Sequence, residues 1–459
     1  MNQHSERIQS LRKALPQLDW CLNPTEVKKK SLDYYWFSPV LRRQLEGKVA
    51  DAVVRPRNVD ELRDIVSGCV LENLPLTMRG GGTGNYGQAI PLEGGVVIDM
   101  TAFDQLLWLK HGVVRAQAGI KLGALDELLA PHRWEIRCMP STYRMATLGG
   151  LFCGGFGGIG SITYGPLTTA GTILGLKVMT VEAEPRVLEL RSPEAMQLAH
   201  TWGTNGIILE LEIALAPAHE WDEYLLAFPD AEAAFVCGEA VAQGPGLIKK
   251  ETAVFADSVV TYLKKLTRYI KPGEHAVIVV INSSNREALE TLVNAARGRI
   301  AYQQTGMVAK TTQHTLLEYC WNHTTLLALR SDKSLTYLQT MYEYGREREQ
   351  FSMIEKAAGD EVLNHLEFIR DDSGRVICSG LPLVRFTSES RLLDLIALHE
   401  HCGVVVRNPH VYILEDGKQF GEMSPESLDA KRRFDPSGLL NPGKVRSMSR
   451  MNGEGHARL

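Results

Sequence analysis

The spacing of apolar positions along the chain predicts alternating helices and strands. In "ADAVVRPRNVDELRDIVSGCVLENLPLTMRG", Leu62, Ile65, Val66, Cys69 and Val70 fall on one helical face between two short strands. "VVRAQAG" is typical of a strand and "IKLGALDELLAPH" of a short amphipathic helix. "TILGLKVMTVEAEPRVLEL" alternates as a β-hairpin does, and "GTNGIILELEIAL" predicts one more strand. The chain is therefore predicted to mix helices with sheets.

Changes in this pattern divide the chain into five segments. Residues 1–45 are predicted as a helical leader, and residues 46–216 as a glycine-rich domain. Glycine becomes sparser after Ala216, where helices and strands such as "HAVIVVINS" predict a second domain over residues 217–424. Residues 425–448 form a carboxyl-terminal segment punctuated by proline and glycine, and residues 449–459 a flexible polar tail.

Charge and cysteine usage narrow the classes of protein. With 50 basic and 54 acidic residues the net charge is -4, which gives no electrostatic reason to expect nucleic acid or an acidic membrane surface. No run of eighteen apolar residues occurs and the amino terminus lacks the apolar core of a signal peptide, so the expected compartment is the cytoplasm. The eight cysteines form no CxxC pair, which argues against zinc ribbons, thioredoxin chemistry and cysteine-ligated iron–sulfur clusters.

Glycine is concentrated in the stretch "TMRGGGTGNYGQ", residues 77–88, which places five glycines within eight positions. The stretch lies between two predicted strands, and such a loop exposes consecutive N–H groups that attract phosphate oxygens. A flexible turn is the plain alternative. The stretch is neither a P-loop nor a dinucleotide-binding fingerprint, because it lacks GxxxxGK[ST] and no helix follows it directly.

Four further stretches accompany this loop, namely "VVRPRNVDEL", "PSTYRMATLGGLFCGGFGGIGSITYG", "GTNGIILELE" and "FDPSGLLNPGK". In their order along the chain, the five stretches resemble the FAD-linked oxidoreductases whose flavin domain is of the p-cresol methylhydroxylase (PCMH) or vanillyl-alcohol oxidase type. The resemblance implies an α+β protein. It would consist of a two-part PCMH-type FAD-binding domain with α/β subdomains, an α+β cap domain on an antiparallel sheet, and a carboxyl-terminal segment that returns to the FAD domain.

The resemblance also implies which residues bind FAD. The first loop would bind the pyrophosphate through Arg79, Gly80, Gly81, Gly82, Thr83, Gly84, Asn85 and Gln88. The second glycine block would follow the flavin through Pro140, Ser141, Thr147, Gly149, Gly150, Gly154, Gly155, Ser161 and Tyr164. The adenine end would meet Gly206, Ile207 and Ile208, while Asn441 and Lys444 would reach back from the carboxyl terminus. Relatives with covalent FAD carry histidine and cysteine at the places of Thr83 and Tyr143, so we predict noncovalent FAD.

On the substrate side the chain resembles the D-2-hydroxyacid dehydrogenases, the group that includes glycolate oxidase and D-2-hydroxyglutarate dehydrogenase. The arginine that binds the substrate carboxylate in that group corresponds to Arg330 in "LLALRSD", although a surface helix arginine is an equal alternative. Metal-containing relatives have a "HxGDGNxH" stretch and a later Glu-His pair, of which this chain offers His410 alone. One histidine cannot hold a divalent ion, so we predict no catalytic metal.

Oxidation of a hydroxyl group also needs a base, and imidazole titrates near neutrality. The candidates are His410 and His323, each of which could equally be a surface or core histidine. Tyr319, His323 and Arg330 share one face if that segment is helical. Tyr412, two positions after His410, shares its face on a presumed strand.

Together these features predict an FAD-dependent oxidoreductase that oxidises a CH–OH group in a small-molecule substrate, with a hydroxy acid as the leading hypothesis. One alternative is a neutral alcohol, sugar or phenolic substrate in a pocket lined by Trp321, Tyr319 and Tyr412. Another is a flavoprotein that has lost catalysis and serves as a silent subunit. The electron acceptor, whether oxygen, a quinone or an electron-transfer protein, is left open, as is the oligomeric state, with a homodimer among the options.

Overall fold

A computed structural model describes residues 4–417 and 423–447. It confirms the predicted α+β class: two helix-flanked sheets form the first half of the described chain, and a large antiparallel sheet dominates the second half. The tail predicted over residues 449–459 lies outside the described residues.

The first subdomain is a four-stranded sheet in the order β1-β2-β4-β3. Its central strands run parallel, and Asn58 caps α4 by accepting a hydrogen bond from the Glu61 N–H, which starts the predicted amphipathic helix. The amino-terminal segment predicted as a helical leader also contributes β1, which pairs with β2. The elements are α1 (Ser5–Ala14), β1 (Trp20–Cys21), α2 (Pro24–Lys30), α3 (Pro39–Leu45), β2 (Ala52–Val54), α4 (Val59–Leu71), β3 (Leu76–Arg79) and β4 (Val96–Asp99).

The second subdomain is built on an antiparallel sheet in the order β5-β6-β10-β8-β9, with β7 paired to the far end of β10. The predicted hairpin is present as β8 and β9. The elements are β5 (Leu106–Lys110), β6 (Val113–Gln117), α5 (Leu122–Leu129), β7 (Trp134–Ile136), α6 (Leu148–Gly154), α7 (Ser161–Tyr164), β8 (Ile173–Met179), β9 (Val187–Arg191) and β10 (Ile207–Pro217).

The cap is an eight-stranded sheet in the order β14-β11-β13-β12-β18-β19-β16-β21, with a three-stranded sheet β15-β20-β17 beside it. Its strands alternate buried apolar positions on two faces, each covered by helices or by the second subdomain. The elements are β11 (Trp221–Phe228), α8 (Ala231–Gln243), β12 (Lys249–Phe255), α9 (Asp257–Val260), β13 (His275–Asn282), α10 (Arg286–Ala295), β14 (Arg299–Thr305), α11 (Gly306–Thr312), α12 (Asn322–Ser331), β15 (Leu335–Tyr337), β16 (Thr340–Met341), α13 (Glu347–Ala358), β17 (Val362–Leu363), β18 (His365–Arg370), β19 (Val376–Gly380), β20 (Leu383–Arg385), α14 (Glu389–His401) and β21 (Val405–Val406).

The carboxyl-terminal segment crosses back to the first two subdomains. Helix α15 (Pro425–Phe434) places Phe434 in the core of the second subdomain, and Leu440 lies in the core of the first. Inside this segment Lys431 forms a buried ion pair with Asp435, and its ammonium also donates to the Thr204 carbonyl. The segment therefore joins the two sheets whose loops carry the glycine blocks.

Candidate functional site

A cavity of about 690 Å³ lies where the two glycine blocks meet the cap. Its volume falls in the range of ligand and cofactor sites in proteins. It is lined by many of the residues that the sequence predicts for FAD, namely Gly80, Gly81, Gly82, Thr83, Gly84, Asn85, Gln88, Pro140, Ser141, Thr147, Gly150, Gly154 and Gly155. These residues form one continuous wall of the cavity.

The first glycine loop follows β3 at the carboxyl end of the parallel strands, which is where open α/β sheets usually bind ligands. Gly82 has a φ of +64°, a conformation that favours glycine. The N–H groups of residues 81–85 donate to no other residue in the described part of the chain. Free N–H groups on consecutive residues are able to bind an anion, and a pyrophosphate is the anion that the sequence predicts for this loop.

Three predicted FAD residues do not line the cavity but hold the loop in shape. Arg79 donates to the Leu32 carbonyl at 2.5 Å, and Lys444 donates to the Gly87 carbonyl at 2.6 Å. Asn441 donates to the carbonyls of Gln88 and Trp202 at 2.9 and 2.7 Å. Because these contacts fix the loop from behind, the three side chains support the loop rather than contact a ligand in it.

Burial shifts the pKa values of two ionisable side chains behind the glycine loop, Asp33 and Lys444. Burial raises the pKa of Asp33 to about 6, and burial lowers the pKa of Lys444 to about 7. The Asp33 carboxylate accepts hydrogen bonds from the N–H groups of Tyr35 and Ala89 at 2.9 and 3.3 Å. The leader, the glycine loop and the carboxyl terminus therefore meet at one buried, partly charged cluster.

The second glycine block packs directly against the first loop, because a Cβ on Gly80 would lie 2.1 Å from Thr147 Oγ1. Thr147 caps α6 by accepting a hydrogen bond from the Gly150 N–H at 3.2 Å, and the same helix ends at Gly154, which lines the cavity.

Other members of the predicted flavin set lie outside the cavity wall. A Cβ on Gly149 would lie 2.7 Å from Ala118, so this glycine serves close packing. Ser161 donates to the Gly158 carbonyl at 2.6 Å, and Tyr164 lies against Arg137. These three residues therefore shape the second block without facing the cavity.

The residues predicted for the adenine end are also core residues in this structure. Gly206 has a φ of +78°, and a Cβ there would lie 2.6 Å from Val178 and 3.1 Å from Phe434. Ile207 and Ile208 begin β10 and are buried in the cores of the first and second subdomains. The placement of these three residues supports a packing role.

The cap wall of the cavity carries polar groups that lack partners. Arg407 follows β21 and is half-buried, and its guanidinium forms no ion pair or hydrogen bond within the described ranges. Asn322 Oδ1 is buried and without a hydrogen bond to any described residue, whereas Thr340 is a hydrogen-bond partner of the Tyr342 hydroxyl. Buried polar atoms are normally satisfied, so Arg407 and Asn322 indicate a polar ligand on the cap side.

His323 is the sequence-predicted base that lines the cavity. Its Nδ1 lies 3.3 Å from Glu318 Oε2, and this contact is the largest factor that lowers the pKa of the Glu318 carboxyl. Nε2 has no hydrogen-bond partner in the described chain. A carboxylate that holds one imidazole nitrogen leaves the other nitrogen as a proton acceptor.

His410 is fully engaged elsewhere. Its Nε2–H donates to the Tyr337 carbonyl at 2.9 Å, and Nδ1 accepts from the Ser38 hydroxyl at 2.7 Å. Burial lowers the pKa of His410 to about 4, so the ring stays neutral at physiological pH. The contacts make His410 a structural link between the leader and the cap.

The other predicted catalytic residues lie outside the cavity wall. Arg330 is exposed in the last turn of α12, which does not support a role in binding a carboxylate in the cavity. Tyr319 is half-buried in the cap core, and burial raises the pKa of its phenol. Tyr412 lies under the Lys444 ammonium, 5.7 Å from the ring centre, and faces the first subdomain. Trp321, named as a pocket residue for a phenolic substrate, does line the cavity.

Residues missed by the sequence reasoning connect the loop to the cap. The Tyr86 hydroxyl donates to Gln339 Oε1 at 2.5 Å, and its ring stacks on Trp202. Asn85 donates to the Tyr337 hydroxyl at 2.8 Å. Tyr86 is an aromatic residue inside a glycine loop, and this unusual position is a sequence signal for its contact with the cap.

Metal-ligating clusters and membrane-spanning helices are both absent from the described ranges. Among the described residues, no three or more histidine, cysteine, aspartate or glutamate side chains are grouped so that they could hold a metal ion. No helix within residues 4–417 and 423–447 combines the length and apolarity needed to cross a bilayer.

The geometry defines a class: a protein whose two glycine blocks line one cavity beneath a cap, with N–H groups that fit a phosphate-bearing cofactor. Residues 50–189 match the family described as "FAD binding domain". This match confirms the predicted resemblance to oxidoreductases with a PCMH-type flavin domain, and the residues present fit FAD because free N–H groups lie at a cavity lined by glycine.

Individual relatives agree with this class. The chain is 30% identical to the glycolate oxidase protein GlcD of Escherichia coli strain K12 over 202 residues, which are 42% of this chain and 40% of that protein. It is 24% identical to D-lactate dehydrogenase of Archaeoglobus fulgidus over 414 residues, which cover 86% of this chain and 90% of the relative. The match to the first relative spans less than half of its length.

A solved structure shows the same fold. The structure of an alkyldihydroxyacetonephosphate synthase superposes with a TM-score of 0.71 and 16% identity, covering 96% of this chain and 85% of the other. At this identity the similarity establishes the architecture, including the cap, and nothing about the reaction.

Proposed function

We propose that the protein is a noncovalent FAD-dependent oxidoreductase that oxidises the CH–OH group of a hydroxy acid. The observation that carries the proposal is one cavity that combines the free N–H groups of the glycine loop with the unpaired Arg407 guanidinium and the His323–Glu318 pair. Two relatives, a glycolate oxidase subunit and a D-lactate dehydrogenase, support the same class of substrate.

The residues of the cavity have separate tasks in such a reaction. FAD, when bound, supplies the two-electron acceptor for the hydride that leaves the substrate carbon. Arg407 offers a planar guanidinium that binds a carboxylate through two parallel hydrogen bonds. His323 Nε2 accepts the hydroxyl proton, while the Glu318 carboxylate holds Nδ1–H and stabilises the charged ring. Asn322 adds a neutral hydrogen-bonding group to the same wall.

Anaerobic titration of the purified holoprotein tests this function. Addition of 2-hydroxy acids should bleach the flavin absorbance, while matched diols and phenolic alcohols should leave it unchanged. Denaturation should release the flavin into solution, since the proposal requires a noncovalent cofactor. Bleaching by sugars or phenolic alcohols alone would contradict the hydroxy acid, and an absence of bleaching by every donor would favour a catalytically silent flavoprotein.

The two histidines give a paired prediction. His323→Ala should lower kcat by about 100- to 10,000-fold because it removes the proton acceptor. His410→Ala should leave turnover per bound flavin near the wild-type value and lower Tm, because it removes two buried hydrogen bonds. Stopped-flow flavin reduction and differential scanning calorimetry separate the two effects. A loss of turnover confined to His410→Ala would reverse the assignment.

The burial of His410 also makes the stability of the folded protein depend on pH. Because the folded pKa of His410 lies below that of a free imidazole, about 6.5, its stabilising contribution is present above that pH. The contribution is lost as the pH falls towards 4. On acidification over this pH range, the Tm of His410→Ala should therefore fall by less than the Tm of the wild type.

Partners and location follow from the sequence and the proposed reaction. The substrate is a small molecule, and the electron acceptor is oxygen, a quinone or an electron-transfer protein. The cytoplasm remains the proposed compartment, supported by eight cysteines that all remain free thiols in the structure. A homodimer is among the oligomeric states to be measured.

A further inference from the structure

Apolar side chains surround His323 on the cap side of the cavity. His323 and Leu326 lie one turn apart on α12, and both line the cavity. Residues three apart on a helix share a face, and three residues span roughly 5 Å along the helix axis. Leu326 therefore lies next to the proposed base on the cavity wall.

Trp321 adds an apolar surface just before the same helix. Its indole N–H donates to Glu251 Oε2 at 2.8 Å, and its backbone N–H donates to Glu367 Oε1 at 2.6 Å. A Cβ on Gly157 of the second glycine block would lie 3.1 Å from a carbon atom of the indole ring, which lines the cavity. Because both N–H groups of Trp321 are bound to buried carboxyl groups, the ring offers the cavity its carbon atoms.

The leader completes this part of the wall. Its 3₁₀ turn (Tyr35–Phe37) packs against α12, and both Tyr34 and Phe37 line the cavity. The four apolar side chains around His323 belong to one core cluster of the cap. They form the apolar subsite, which consists of Tyr34, Phe37, Trp321 and Leu326.

Permanent charge is scarce on the wall of the cavity. Among the described residues that line it, Arg407 is the one residue with a permanent charge. In the proposed reaction this guanidinium binds the carboxylate next to the CH–OH group. A second carboxylate on the substrate would find no further cation in the described wall, and it would lose its water against the apolar subsite.

We propose that the substrate is a 2-hydroxy monocarboxylic acid with a bulky apolar side chain, and that the apolar subsite binds this side chain. The inference rests on the proposed function, because it takes His323 as the group that accepts the hydroxyl proton. The side chain is attached to the same carbon as the hydroxyl group, which places it beside His323 and hence against Leu326. Each CH₂ group buried there strengthens binding by roughly fourfold.

Reduction of the flavin in the purified holoprotein by matched acids tests the proposal. Lactate, 2-hydroxybutanoate and 2-hydroxy-4-methylpentanoate are compared anaerobically by stopped flow. The ratio of the reduction rate to the dissociation constant should rise by roughly fourfold per added carbon, or about 60-fold from the first acid to the last. Malate, which carries a carboxylate in place of the isopropyl group of the last acid, should be at least about 100-fold less efficient than that acid.

Two leucines of α12 provide a matched pair of variants. Leu326 and Leu327 are both half-buried and belong to the same core cluster, but of the two only Leu326 lines the cavity. Leu326→Ala should lower the preference for 2-hydroxy-4-methylpentanoate over lactate by about 10-fold, whereas Leu327→Ala should keep the wild-type preference. Because each preference is a ratio measured on one variant, a general loss of stability or of flavin content cancels.

Three results would overturn the proposal. They are equal efficiency of lactate and 2-hydroxy-4-methylpentanoate, a preference for malate over the latter acid, and a wild-type preference that Leu326→Ala leaves unchanged. The last result, together with weaker flavin binding by the variant, would assign the apolar subsite to the flavin ring.

Equilibrium binding separates this inference from the proposed function. Pyruvate and 4-methyl-2-oxopentanoate keep the carboxylate and side chains of the smallest and largest hydroxy acids, and calorimetry measures their binding to the oxidised holoprotein without turnover. The larger acid should bind about 60-fold more tightly in the wild type, and Leu326→Ala should reduce that difference. If no hydroxy acid reduces the flavin while this difference is present, only the proposed function is lost. If hydroxy acids reduce the flavin and the difference is absent, only the inference is lost.

Discussion

Gly154→Leu should abolish high-affinity FAD binding while leaving the fold intact. Gly154 lines the cavity at the end of α6, and a Cβ there meets only the Gln88 side chain, with the closest atom at 3.6 Å. The chain therefore accommodates a side chain, but its outer atoms take space beside Gln88 on the cavity wall. Overfilling a close-packed site costs roughly 3 kcal/mol, or about 100-fold in affinity.

The same substitution should not lower the thermal stability of the FAD-free protein. Leucine is a better helix former than glycine by up to about 1 kcal/mol, so Tm of the FAD-free variant should be unchanged or slightly higher. Gly246→Leu is the control, because Gly246 lies in an exposed loop with no heavy atom within 4 Å of an added Cβ. Flavin fluorescence titration measures the affinity. Wild-type affinity in Gly154→Leu would place the cofactor elsewhere.

The glycine wall could be predicted from the sequence because its cause is local. A backbone that must approach a ligand needs glycine at each point of contact, and that need appears directly in the composition of residues 77–88 and 140–165. The unit of strand, helix and strand around α4 was equally accessible, since α4 carries its own cap and a regular apolar face. The strand β1 was not, because it lies in the segment predicted as a helical leader. What the local pattern could not show was which flanking residues face the cavity. Arg79 and Lys444 turn instead towards backbone carbonyls behind the loop.

On the substrate side, tertiary contacts decide which residues face the cavity. The continuous helix predicted there from the spacing of Tyr319, His323 and Arg330 therefore differs from the structure. Tyr319 belongs to a separate 3₁₀ helix (Leu316–Tyr319), and the left-handed backbone of Trp321 breaks the continuous helix assumed in the sequence. His323 and Arg330 do share α12, but seven residues along a helix span roughly 10 Å. That distance carries the arginine beyond the cavity while the histidine remains on its wall.

His410 shows the same limitation on the other side of the cap. Its backbone N–H donates to Asn408 Oδ1 at 2.9 Å in a turn, so the strand alternation assumed for His410 and Tyr412 does not apply. The turn instead directs the imidazole to Ser38, 372 residues away in sequence. Contacts between such distant positions carry no local signature. They decide which arginine and which histidine of the chain reach the cavity.

Arg407→Ala should strongly lower the efficiency of the enzyme with a hydroxy acid substrate. The guanidinium has no internal partner in the described chain, so its removal should leave the fold intact and the substrate carboxylate unpaired. Loss of a buried charged hydrogen-bonding partner costs roughly 3–4 kcal/mol, which predicts a fall in kcat/KM of about 100- to 1,000-fold. Arg407→Lys should recover part of this loss, because an ammonium keeps the charge without the bidentate geometry.

Two comparisons make the result specific. Oxidation of a neutral alcohol of the same carbon skeleton should change by less than about threefold in Arg407→Ala, since only the carboxylate contact is lost. Arg330→Ala should behave as the wild type, because Arg330 is exposed outside the cavity; the reverse ranking would restore the assignment made from the sequence alone. The ratio of flavin to protein absorbance must be measured in every variant. A drop in flavin content in Arg407→Ala with unchanged KM would mean that Arg407 binds the FAD phosphates and not the substrate.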